Sequence, residues 1–186
     1  IHPVVKSRGS LGASGDLIPL AHVALVLIGE GEADVDGKRL SGEEALASAD
    51  LDPLALRAKE GLALINGTQL TVGLAALVVC DAERALRAAD VAGALTTEVT
   101  MGSTASSDAV ISEVRPHAGQ ATSARNVKRL TRDSDVVESH RNCDRVQDAY
   151  AIRCLPQVHG AVRDAVSHLR DAVETVVDDH DARGGE

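Results

Sequence analysis

A chain of 186 residues with a formal net charge of −9 is long enough for one domain with a substantial core, and its acidic surface argues against nucleic acid or an anionic membrane as partner. There is no Phe, no Trp and a single Tyr, so the core must be packed from Ala, Val, Leu and Ile, which suits close helix-on-helix contact better than aromatic-rich strands. Cys80, Cys143 and Cys154 are odd in number and widely spaced, a pattern of reduced thiols in a cytoplasmic protein. Arg heavily outnumbers Lys on an acidic background, a surface that a salt-rich cytoplasm favours and that ordinary acidic proteins also show. The longest apolar stretch, residues 17–28, contains Pro19 and His22, is too short to span a bilayer and lacks the flanks of a signal peptide. The chain opens at Ile1 inside an apolar phrase and closes on Arg183-Gly184-Gly185-Glu186, so both ends read as cuts in a longer protein.

In chain order, a Gly-rich opening (Gly9, Gly12, Gly15) leads into a helix over 17–28 with Asp16 as N-cap. Residues 33–35 and 38–40 flank Asp36-Gly37, a hairpin with a tight turn. Ser41-Gly42-Glu43-Glu44 matches a capping box and starts another helix, which Pro53 follows as a breaker. A helical stretch over 58–65 is broken by Asn66-Gly67, and residues 68–94 read as a long buried helix. Towards the end Val158, Ala161, Val162, Ala165, Val166, Leu169, Ala172, Val173 and Val176 fall at steps of three and four, the apolar stripe of a long amphipathic helix. The expected fold is mainly α, with long packed helices and one small β-hairpin.

Chemistry enters at Gly12-Ala13-Ser14-Gly15-Asp16. A nucleophile elbow needs Gly two residues after the Ser, where Asp16 stands, and a phosphate-cradling loop needs a Lys that is absent. A third possibility is cyclisation: the Gly15 amide nitrogen attacks the Ala13 carbonyl carbon. Loss of one water from the ring and one from Ser14 then leaves an exocyclic methylidene. Glycine suits the third position because it bends most easily into a strained approach. Taken alone, the segment also fits a plain flexible loop before a helix.

The wider context resembles the aromatic amino acid ammonia-lyases. Gly-Ala-Ser-Gly-Asp-Leu followed by Pro19-Leu20-Ala21-His22 is similar to that family's signature and continues into Gly29-Glu30-Gly31-Glu32-Ala33. Three further blocks resemble the family in order: 59–69 with Asn66-Gly67-Thr68-Gln69, Arg115-Pro116-His117 with Gly119-Gln120, and 147–154 with Pro156-Gln157-Val158-His159-Gly160. Ser139-His140, Cys143-Asp144, Arg153-Cys154 and Val158-His159-Gly160 look like the histidine branch. The resemblance runs over nearly the whole chain and implies long packed helices of the fumarase/aspartase-like superfamily, with residues 1–186 a partial central helical domain. The family's catalytic Tyr would then lie upstream of Ile1 and an acidic pocket residue downstream of Glu186.

It further implies elimination of ammonia from L-histidine to give trans-urocanate in a cytoplasmic homotetramer. The electrophile would be a 4-methylidene-imidazol-5-one formed autocatalytically from Ala13, Ser14 and Gly15, with no external cofactor. By the same resemblance Asn66 hydrogen-bonds near the prosthetic ring or the substrate. Gln147 and Tyr150, the latter among the catalytic residues, line the pocket, and Arg153 holds the substrate carboxylate, as a planar guanidinium does with two parallel bonds. Ala149 stands where the family normally has Pro, and Ala151 where it commonly has Ser. The competing readings are a non-catalytic helical scaffold that keeps the lyase fold, or a related aromatic amino acid lyase or aminomutase. A zinc site drawn from His140, Cys143, Cys154 and His159 lacks the close ligand pairs of zinc ribbons, so no metal is expected.

Overall fold

In the computed structural model, which describes residues 1–9 and 15–183, the chain turns where Asp36-Gly37 requires it. Both residues have positive φ (48° and 76°), as the tightest hairpin turns demand. The turn joins strand β2 (Glu32–Val35) to β3 (Lys38–Ser41) in antiparallel register, Val35 opposite Lys38 and Glu32 opposite Ser41. A strand not predicted from the sequence, β1 (His2–Pro3), pairs with the free edge of β2 and makes a three-stranded sheet. Two residues carry no periodicity, so only the pairing itself reveals it. Helix α1 (Leu17–Leu27) and α2 (Gly42–Ala47) cover the sheet, burying Val26, Ala33 and Ala45 with Val35 and Leu40 packed against them. The expected capping box is present: the Glu44 N–H donates to Ser41 Oγ and the Ser41 N–H to the Glu44 carboxylate.

The described chain falls into two compact units, Ile1–Leu74 and Ala75–Glu186. In the first, α3 (Glu60–Ile65) packs on α1 and is shorter than the predicted stretch; α4 (Gln69–Val99) begins one residue after Asn66-Gly67, and from Ala75 on it belongs to the second. Asp16 stands at the N-cap position of α1, yet its side chain does not cap that helix. The third residue of α1 is Pro19, which has no N–H for a cap to bind. The Asp16 carboxylate instead accepts from the Thr71 N–H (2.7 Å) and Thr71 Oγ1 (2.8 Å) in the first turn of α4.

The second unit holds helices α5 (Ala109–Val114), α6 (Ala118–Leu130), α7 (Asp135–Ser139), α8 (Tyr150–Arg153) and α9 (Leu155–Arg183). Asp108 and Ser134 cap α5 and α7 through their own side chains. Helix α6 lies along α9 at a crossing made of glycine: a Cβ on Gly160 would overlap the backbone nitrogen of Gln120, and one on Gly119 the carbonyl oxygen of Gly160. The start of α6 is capped from α9, where Asp164 accepts from the Gly119 N–H at 2.8 Å. Deeper in the unit Asp90 of α4, 1% exposed, accepts from Asn126 of α6 (2.7 Å) and from His159 (2.9 Å) and Arg163 (2.7 Å) of α9.

One predicted burial differs from that observed. Helix α4 is longer than expected and not buried throughout: Val79, Leu86, Asp90, Ala94 and Thr97 face inward, while Leu77 is 64% exposed. On α9 the apolar stripe faces mostly outward, with Val158 55% exposed. The face that packs carries Pro156, His159, Gly160 and Arg163. Periodicity finds a stripe, but close approach at glycine and a buried carboxylate decide which stripe turns inward. Gly160→Ala is expected to destabilise the chain by about 1–3 kcal/mol, as overpacking does. Urea unfolding checks this through the midpoint, and a midpoint equal to wild type would show that the α6–α9 crossing is not close-packed.

Candidate active site

Of the residues proposed to cyclise, Ala13 and Ser14 lie outside the described residues, and Gly15 is placed. Gly15 has φ 95°, a conformation that favours glycine, and forms a parallel bridge with Gly67. A Cβ on Gly15 would overlap the Gly67 carbonyl oxygen, and the next amide, Asp16 N–H, donates to that oxygen at 2.7 Å. Asn66, immediately before Gly67, is the C-cap of α3, exposed, with its backbone N–H on the Leu62 carbonyl. The glycine that ends the tripeptide and the Asn-Gly turn thus meet backbone to backbone.

In the second unit a cavity of about 430 Å³ is lined by Gln147 and Arg153 together with Ser103, His140, Arg145 and Asp148 among others. Asp148 organises it. Its carboxylate accepts from the Ser103 N–H (2.7 Å) and from Arg145 (3.2 Å), and its carbonyl accepts from Arg153 Nε (3.2 Å). Beyond that bond the Arg153 guanidinium makes no ion pair among the described residues, and it lies 5.9 Å from the centroid of the Tyr150 ring. Gln147 precedes the single turn of α8, on which Tyr150 and Arg153 sit.

Tyr150 itself is 70% exposed and does not line the cavity. Hydrogen bonding to Cys154, then the charge of that sulfur, holds the phenol above its ordinary range, while the nearby Arg153 pulls it down. Asp148 and Ser103 were not singled out from the sequence. The Arg145/Asp148 spacing of three was the only local signal, and the Ser103 contact spans 45 residues. Of the four residues weighed as zinc ligands, His140, Cys143 and Cys154 line this cavity and His159 does not; among the described residues no group of three His, Cys, Asp or Glu is placed to hold a metal ion, and the three thiols are free.

The sequence profile described as aromatic amino acid lyase matches residues 1–178. The chain belongs to the aromatic amino acid lyase family. A probable histidine ammonia-lyase of Halobacterium salinarum (strain ATCC 29341 / DSM 671 / R1) is 71% identical over 175 residues, 94% of this chain and 33% of that relative. The histidine ammonia-lyase of Gloeobacter violaceus is 58% identical over 93% of this chain and 34% of the relative. Among solved structures, histidine ammonia-lyase from Trypanosoma cruzi superposes with a TM-score of 0.69 at 37% identity, covering 88% of this chain and 29% of that one. Tyrosine aminomutase from Streptomyces globisporus gives 0.78 at 39%, covering 93% and 36%. The chain spans about a third of the length of the curated relatives it matches. Helical members of the lyase family therefore share its mainly α architecture.

With one Tyr and no Trp, the phenol of this lyase chain can be titrated without interference. Cys154→Ala removes the sulfur that raises Tyr150, so the ionisation midpoint is expected to move down. Ultraviolet difference titration reads it, and an unmoved midpoint would show that the Cys154 contact is not made in solution.

Proposed function

We propose that the enzyme carrying this chain eliminates ammonia from L-histidine to give trans-urocanate, with a methylidene-imidazolone built from Ala13, Ser14 and Gly15. The observation that carries the reading is the clamped backbone of Gly15, whose positive φ and contact with Gly67 admit no side chain. That cradle fits a tripeptide whose third residue must supply an unhindered amide nitrogen. Asn66, beside Gly67, is the residue to hold the ring or the substrate near it. When formed, the ring supplies an electron sink, which the elimination needs because the proton on the carbon bearing the imidazole is weakly acidic.

The chain's own residues bind and orient. Arg153 Nε is already engaged by the Asp148 carbonyl, which fixes the plane of the guanidinium and leaves its two outer nitrogens for a carboxylate in the cavity. Gln147, a neutral amide lining the same cavity, orients a polar ring without adding charge. Tyr150, an exposed phenol one turn before Arg153, can donate a hydrogen bond. The enzyme is taken to be a cytoplasmic homotetramer with no external cofactor. Histidine is preferred to tyrosine or phenylalanine because the relatives at 71% and 58% identity are a probable and a named histidine ammonia-lyase, against 39% for the aminomutase.

Intact mass and turnover of the full-length enzyme test the proposal together. Wild type should be lighter than its sequence by two waters and release urocanate. Ser14→Ala should keep its full mass and lose almost all activity. An enzyme that retains both waters, or that turns over tyrosine and not histidine, overturns it. Arg153→Lys keeps the charge but loses the fork, so kcat/KM for histidine should fall by about 1.5–3 kcal/mol of transition-state binding. Binding of a histidine analogue without the carboxylate should change far less. An equal loss for both ligands would make Arg153 structural.

A further inference from the structure

Helix α4 is Ala-rich around Asp90, yet this position is a carboxylate with 1% exposure. Its two oxygens divide the neighbours between them. Oδ1 takes His159 Nδ1, while Oδ2 takes Asn126 Nδ2 and an Arg163 nitrogen. Arg163 Nε also reaches Ser123 Oγ of α6 at 3.4 Å. His159 and Arg163 are four apart, one turn, so they grip the carboxylate from a single face of α9. Apolar side chains of similar volume would hold three helices together at least as firmly, because hydrophobic contact is non-directional. What the charged cluster adds is direction: donors at 2.7–2.9 Å fix the rotation of α9 and its axial register.

That register reaches the cavity. Helix α9 starts at Leu155 and α8 ends at Arg153, with Cys154 alone between them. Gln157 and Arg153, two and six residues before His159, both line the cavity organised by Asp148. Turning α9 by one residue would swing its side chains through about 100°. We infer that Asp90 is a positioning residue for the substrate cavity, aligning Gln157 and Arg153 through its bonds to His159 and Arg163. The inference deepens the reading of this cavity as the place where the substrate carboxylate is held, and rests on it.

The test uses the full-length enzyme. Asp90→Asn keeps the size of the side chain but cannot accept from all three partners. It is expected to raise KM about 10-fold while kcat stays within about 3-fold of wild type, the signature of weakened uniform binding. Amide hydrogen exchange over residues 147–157 should quicken at the same time. A lowered melting temperature with KM and exchange over 147–157 as in wild type would reduce Asp90 to a core residue and overturn the inference. Should Asp90→Asn fail to fold, His159→Ala, which removes one donor and leaves the Asn126 and Arg163 bonds to Asp90 in place, is read in the same two ways. Collapse of both variants overturns it in favour of a purely structural role. If wild type prefers another aromatic amino acid, KM is read with that substrate and the exchange arm needs no turnover, so failure of the histidine assignment is distinguishable.

Discussion

An ionised carboxylate survives in a helical core only where donors replace the water it has lost, and Asp90 sets that condition for the second unit. Burial pushes its carboxyl up, but Asn126, His159 and the Arg163 charge more than offset this and hold it below the usual carboxylate range. Removing one partner of such a buried cluster typically costs roughly 3–5 kcal/mol, because the remaining charge is stranded. The donors come from α6 and α9, so these two helices must stay close, and the bare backbones of Gly119 and Gly160 allow the approach. The same logic recurs at helix ends. Asp164 of α9 binds the first turn of α6, and Asp16 binds the first turn of α4, so each carboxylate satisfies orphan N–H groups of another helix.

What the sequence made legible was local. The Asp36-Gly37 hairpin, the Ser41/Glu44 capping box and the break at Asn66-Gly67 depend on neighbours within a few residues, and all three are seen. The long amphipathic helix α9 was legible as an apolar stripe, but the face packed within this chain is chosen by Gly160 and by His159 and Arg163 reaching Asp90. Asp16 looked like an ordinary cap, and only the missing N–H of Pro19 with the nearness of Thr71 explains its other role. Motif resemblance led to the family. Within the site, Gln147 and Arg153 share a cavity and Tyr150 stands outside it, while Asp148 and Ser103 depend on a contact too distant in sequence to be read.

The pairing of Gly15 with Gly67 also bears on time. Its companion bond, from Thr71 to Asp16, joins residues 55 apart. Closing a loop of that length is tolerable, since each doubling adds only about 0.6 kcal/mol, but such distant partners meet late in folding. Until α1, α3 and the start of α4 have docked, the Gly67 contact that accompanies the positive φ of Gly15 is not made. Any backbone chemistry that required this conformation would therefore be reserved for chains that have already passed through assembly of the first unit, and a covalent product of it would record that passage.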